Sequence, residues 1–123
     1  GQPAAPAPPA ETPQSSLEQV ATTDSVSLLV DPTTGLAFVQ AGDGEPLRLR
    51  RNDDYWQGDV PLTRGSATLV AAARDDLGQL RVLDVSEWGY FAWILDDSGL
   101  FIGEEQLDNT DLTAAAVLFG LEL

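Results

Sequence analysis

The residues best placed to do chemistry in this sequence are paired aspartates at turns. Asp75-Asp76-Leu77-Gly78 and Asp96-Asp97-Ser98-Gly99 share the pattern Asp-Asp-x-Gly, with an apolar residue two positions after each glycine. Asp31-Pro32-Thr33-Thr34-Gly35 is a looser version. Carboxylates are the ligands Ca²⁺ prefers, so Asp75, Asp76, Asp96 and Asp97 are the candidate metal ligands. A calcium ion takes about six to eight oxygens, and neighbouring residues on a strand point to opposite faces. One aspartate pair therefore rarely supplies more than one ligand, and two turns would have to meet at one end of a sheet. The same residues also have a local role. The first aspartate of a turn accepts hydrogen bonds from the backbone ahead of it, and glycine takes the left-handed conformation that closes a hairpin. No EF-hand loop is present.

The rest of the inventory is restrictive. The chain has no histidine, cysteine or lysine, and it sets twenty acidic residues against six arginines for a net charge of −14. The commonest general base, the thiol nucleophile and the soft metal ligands are thereby absent. Serine and threonine have no histidine or lysine to activate them. Glu87 or Glu104 with Asp96 is the pair that glycoside hydrolysis would require, and no spacing marks it. The sequence thus predicts a protein that is not an enzyme. An acidic chain is repelled by phosphate backbones and anionic lipid, which argues against nucleic acid as a partner. No apolar run reaches about 18 residues, so no membrane insertion is expected. An acidic, soluble surface suits an extracellular or cell-surface location, and no cofactor beyond Ca²⁺ is suggested.

Binding chemistry remains. Trp56, Trp88 and Trp93, with Tyr55 and Tyr90, are the side chains that could stack on a glycan. Trp93 lies in a wholly apolar run and reads as core. Trp88, in a turn beside Gly89, is the better candidate for exposure, followed by Tyr55-Trp56; packing over the end of a sheet is the alternative for both. Arg48, Arg50 and Arg51 form the basic cluster. They could meet carboxylates of another copy, or form a solvated strand face with weak internal pairs.

These residues must be positioned by short strands. Residues 1–16 are rich in proline and alanine and predict an extended arm or linker. Residues 17–123 suit a single β-rich domain, large enough to bury a core. Leu17–Thr23 is open to a short helix or an extended segment. Val26–Val30 and Leu36–Gln40 read as strands about the Asp31 turn. Leu47–Arg51 alternates with period two, and Asn52–Gly65 lacks periodicity and reads as a structured loop. Ser66–Arg74, Gln79–Val85, Tyr90–Leu95 and Leu100–Ile102 are strands joined by the Asp-Asp-x-Gly turns and by Ser86–Gly89. The run Tyr90–Leu95 is apolar throughout, as in a central strand buried on both faces. Thr110 or Asp111 caps a helix over Leu112–Phe119, with Leu112, Ala116 and Phe119 on its packed face and Gly120 at its C-cap. The predicted fold is mainly β, or β-rich α+β: an antiparallel hairpin meander with one C-terminal helix.

Several of these segments together resemble the tryptophan-rich C-terminal domain of secreted cyanobacterial proteins of the Synechocystis type. The matching features are the strand from Gly65 to Ala72, the strand Gln79–Val85, the hairpin Tyr90-Phe91-Ala92-Trp93-Ile94-Leu95-Asp96-Asp97-Ser98-Gly99, and the closing Leu118-Phe119-Gly120-Leu121. The resemblance spans Val26–Leu121. It implies an accessory module of a secreted or surface protein rather than a reaction. The chain departs from the pattern by holding only three tryptophans and by ending at Leu121-Glu122-Leu123 instead of continuing into an aspartate-rich calcium segment.

The function expected from these readings is a non-catalytic extracellular structural or interaction module. It would assemble with copies of itself, into a surface or filament structure, or join a larger surface protein. The expected mode is strand addition, with an extended N-terminal segment that includes Val26, Leu28 and Val30 pairing to the next copy's sheet edge. The absence of lysine, a common edge guard, favours such pairing. Arg48, Arg50, Arg51, Trp56 and Trp88 are the other expected interaction residues. The alternatives are a calcium- or glycan-binding accessory domain and a plain spacer.

Overall fold

A computed structural model describes residues 17–119, which form eleven strands and one helix. The Pro/Ala-rich arm of residues 1–16, the Gly120 cap and the final residues lie outside the described residues.

The first strands form a four-stranded antiparallel meander: β1 (Glu18–Thr23), β2 (Val26–Val30), β3 (Ala37–Ala41) and β4 (Leu47–Arg48). A small hairpin follows, β5 (Arg50–Asn52) with β6 (Gln57–Asp59). The second large sheet runs β11-β10-β9-β8-β7, from β7 (Thr63–Arg64), β8 (Ala67–Arg74), β9 (Leu80–Ser86), β10 (Gly89–Leu95) and β11 (Phe101–Leu107). The chain closes with α1 (Asn109–Phe119). The predicted antiparallel β meander with a C-terminal helix is therefore the fold.

The two large sheets pack face to face. Val26, Leu28, Ala37 and Val39 of the first meet Leu69, Ala72, Leu80, Val82, Trp93 and Leu95 of the second, with Leu49 and Val60 between. Period-two alternation explains this: Leu80 and Val82 on β9, and Trp93 and Leu95 on β10, share one face. The opposite face of the second sheet builds a smaller core. There Ala115 and Phe119 of α1 cover Ala71, Ala73 and Leu83, with Ala21 of β1 beside them. Thr23 donates its hydroxyl to the Phe119 carbonyl at 2.9 Å and ties the end of the helix to β1.

Several local readings change. Leu17–Thr23 resolves as strand β1. Asn52–Gly65 is not a single loop but contributes to β5 and holds β6 and β7, strands too short to show a period. Leu47–Arg51 is split, because Leu49 crosses between sheets: it donates its N–H to Ala37 and accepts from Val60, both at 3.0 Å. The helix starts at Asn109 and turns Ala115 and Phe119 inward, while Ala116 is only half-buried. On β10, Ala92, Trp93 and Leu95 are buried, while Tyr90 and Ile94 on the outer face and Phe91 on the inner face are half-buried. Strand β2 is paired on both sides, by β1 and by β3.

Candidate functional site

The two Asp-Asp-x-Gly turns fold identically. Asp75 Oδ1 accepts the N–H of Leu77 at 2.9 Å and of Gln79 at 3.0 Å. Asp96 Oδ1 accepts the N–H of Ser98 at 2.8 Å and of Leu100 at 3.0 Å, and the Ser98 hydroxyl as well. Gly78 and Gly99 lie at φ 82° and 93°, the left-handed region that closes each hairpin. The Ser98 hydroxyl, working against partial burial and helped by the Leu100 and Ser98 N–H groups, holds the Asp96 carboxyl below its usual range. For Asp75, burial pulls upward, but the Gln79 N–H, the Arg81 guanidinium and the Leu77 N–H outweigh it, and the carboxyl is lowered. The turn-closing role thus engages the first aspartate of each pair, while Asp76 and Asp97 point to solvent. Among the described residues no three acidic side chains gather as a metal-ion group.

Glycine at the second turn has a further duty. A Cβ on Gly99 would lie 2.8 Å from the Arg48 carbonyl oxygen and 3.2 Å from Leu47 Cβ, and the Gly99 carbonyl accepts the Arg50 N–H at 3.1 Å. This turn is the seat on which the β4–β5 crossover rests.

The densest chemistry lies on the inner face of the second sheet, where the β5–β6 hairpin covers β9–β11. The Arg51 guanidinium carbon sits 4.0 Å from the Phe101 ring centroid, 5.2 Å from that of Trp93 and 5.8 Å from that of Tyr55. Arg64 lies 4.8 Å from the Trp93 ring and bonds Asp84 at 3.0 Å. Arg51 pairs with Asp53 at 2.6 Å. Burial pushes the Asp84 carboxyl up despite Arg64, and burial likewise raises Glu104 despite Arg51. Burial would also raise Asp53, but the Arg51 side chain and the N–H groups of Tyr55 and Trp56 reverse the shift and lower it. The Trp93 indole N–H, fully buried, faces the Asp84 carboxylate closely enough to favour its charge but has no acceptor at hydrogen-bond geometry. Cation–π stacking of Arg51 on Trp93 and Phe101 joins the hairpin to the sheet. With Asp53 and Asp84 each held by an arginine, neither is a free acid or base.

The expected interaction residues are dispersed. Val26 and Leu28 are core, at 1% and 0% exposure, and Val30 is half-buried on a strand paired on both edges. They are not available for pairing to another copy, because the chain's own strands hold them. Arg51 is buried, so the basic trio is not a shared surface. Arg48 reaches Asp59 at 3.2 Å, and Arg50 donates to the Ser98 hydroxyl at 3.0 Å. Trp56 is half-buried and donates its indole N–H to the Asp59 carbonyl at 2.9 Å, which removes it from a stacking platform. Trp88 is 75% exposed and Tyr55 85%. All six arginines of the chain have internal partners, since Arg74 donates to the Gly78 carbonyl and Arg81 joins Asp75 to Glu105.

Arg64, Asp84 and Phe101 were not singled out from the sequence. A parity signal exists for two members of the cluster: Asp84 shares a face with Leu80 and Val82, and Arg51 shares one with Leu47 and Leu49. Comparison with family models, with curated proteins and with solved structures finds no match.

Proposed function

We propose that the chain is a non-catalytic interaction module of an extracellular or cell-surface protein, joining copies of itself or a larger surface protein by strand addition at β11. One observation carries this reading. β11 is a seven-residue outer strand, and among the described residues no strand is paired along its outer side; β5 meets only its start, through the isolated bridge of Arg50 to Leu100 and through Arg51 over Phe101. Ile102, at the register shift, is 55% exposed there. The other long outer strand, β1, lies against β8 and is less open. The resemblance of the β10–β11 hairpin to the tryptophan-rich secreted domain is part of this proposal.

A charge of −14 makes copies repel, so edge pairing strengthens as salt screens it. Sedimentation velocity on the full chain from low to near-molar salt is expected to show growing oligomers. Ile102→Asp should weaken the association at least about tenfold. Monomers at every salt and concentration, or an unaffected Ile102→Asp variant, would sink the proposal.

A second reading rests on Trp88 and Tyr55, flat aromatic side chains left in solvent at loop positions. They support a glycan-binding accessory role. A glycan array on the chain and on Trp88→Ala tests it; equal signals from both exclude Trp88 as a platform.

A further inference from the structure

On the outer face of the second sheet a cleft of about 670 Å³ runs between the end of α1 and strands β10 and β11. One wall is apolar: Ala115, Leu118 and Phe119 of the helix face Ala92 and Leu107. The floor is the Arg81 network. Arg81 bonds Asp75, Glu105 and the Trp93 carbonyl, so its charge is already met by two carboxylates. Glu105, by contrast, keeps 63% of its side chain in solvent. The rim carries Asp24 and Asp76, both exposed and neither in an ion pair among the described residues, with Arg74 already bonded to Gly78. Four carboxylates thus face two guanidiniums that are turned to internal acceptors. The cleft joins an aliphatic wall to an uncompensated negative rim.

Its occupant must be apolar with a positive group. The described residues do not supply one: lysine is absent from them and each arginine already has an internal partner. A second copy brings the same charge of −14 and the same engaged arginines, so charge complementarity favours a different protein. We infer that this cleft takes a basic side chain flanked by aliphatic ones, presented by a segment of a different protein. Aliphatic neighbours cover Leu118 and Leu107, both part-exposed, while the ammonium or guanidinium reaches Glu105, Asp76 and Asp24. This inference does not depend on edge pairing at β11, and it is testable on the monomer.

The probe is acetyl-Leu-Lys-Leu-amide titrated into isotope-labelled full chain and followed by amide chemical shifts, beside the matching peptide with glutamine in place of lysine. Saturable shifts at Asp76, Glu105 and Leu118 are expected. The glutamine peptide should bind about tenfold more weakly, as should the lysine peptide to a variant carrying Asp24→Asn and Asp76→Asn. Both substitutions are isosteric, and asparagine tolerates the φ of 54° at Asp24, so the fold is kept. Equal affinity for the two peptides, shifts elsewhere on the molecule, or no saturation at millimolar peptide would overturn the inference. Butylammonium binding the same amides as tightly as the peptide would make this a small-amine site and equally overturn it.

Discussion

Arg64 and Asp84 show what a single pair contributes here. Both are nearly buried, so the carboxylate depends on its partner for solvation. Arg64→Leu should cost about 3 kcal/mol in urea denaturation, because it strands a buried charge beside Trp93. Arg64→Leu combined with Asp84→Leu should cost clearly less than the single change; an equal or larger loss would show that the pair is not coupled. The parity of Asp84 with Leu80 and Val82 placed it inward in the sequence itself. Its partner was not legible, because Arg64 lies twenty residues earlier in a segment with no period. The aspartates at the turns were legible for the opposite reason: their hydrogen bonds reach only two to four residues ahead. The two roles weighed for those aspartates, turn closure and metal binding, use the same carboxylates. The bonding pattern engages Asp96 and Asp75 in closure, and Asp75 in a pair with Arg81 as well.

At the scale of elements, two copies of one turn sit in different surroundings, and the contrast is measurable. A Cβ added to Gly78 would meet nothing within 4 Å, whereas one added to Gly99 would abut the Arg48 carbonyl. Gly78→Ala should cost about 1 kcal/mol from backbone strain alone, and Gly99→Ala about 3 kcal/mol from strain plus the collision. Equal losses in thermal or urea melts would remove the close approach as a determinant. The hairpins β8–β9 and β10–β11 were readable because turn chemistry and alternation agree along them. Strands β6 and β7 were not, since two or three residues are too few to display a period. The helix was readable from its alanine-rich run and Phe119 faces inward as expected, but Ala115 rather than Ala116 is buried beside it: Ala114, Ala115 and Ala116 offer no difference in size by which the sequence could rank them.

Over the whole molecule, five carboxylates fall into two groups with opposite pH behaviour. Asp84 and Glu104 are raised in the fold, so they bind protons more tightly folded than unfolded. Their ionisation penalty is fully present at neutral pH and is relieved as pH falls through their raised values toward the ordinary range near 4. Glu104 is largely exposed, so Asp84, 6% exposed, carries most of this gain. Asp53, Asp75 and Asp96 are lowered; their contribution is full above the ordinary range and is lost as pH falls through their native values. Stability should therefore rise from neutral pH to about pH 4–5 and fall below that. Urea midpoints across this range check it, with Asp84→Asn expected to flatten the acid gain. A midpoint that declines steadily from neutral pH would contradict the assignment. The contact of Gly99 with Arg48 and Arg50 has a kinetic counterpart. The β8–β11 meander is built from neighbouring hairpins, while the first sheet reaches that turn only across some fifty residues. Local contacts form before such distant ones. The crossover should thus dock after the rate-limiting step, so that Gly99→Ala accelerates unfolding and leaves the refolding limb of a chevron nearly unchanged. A slowed refolding limb would instead place this seat within the folding nucleus.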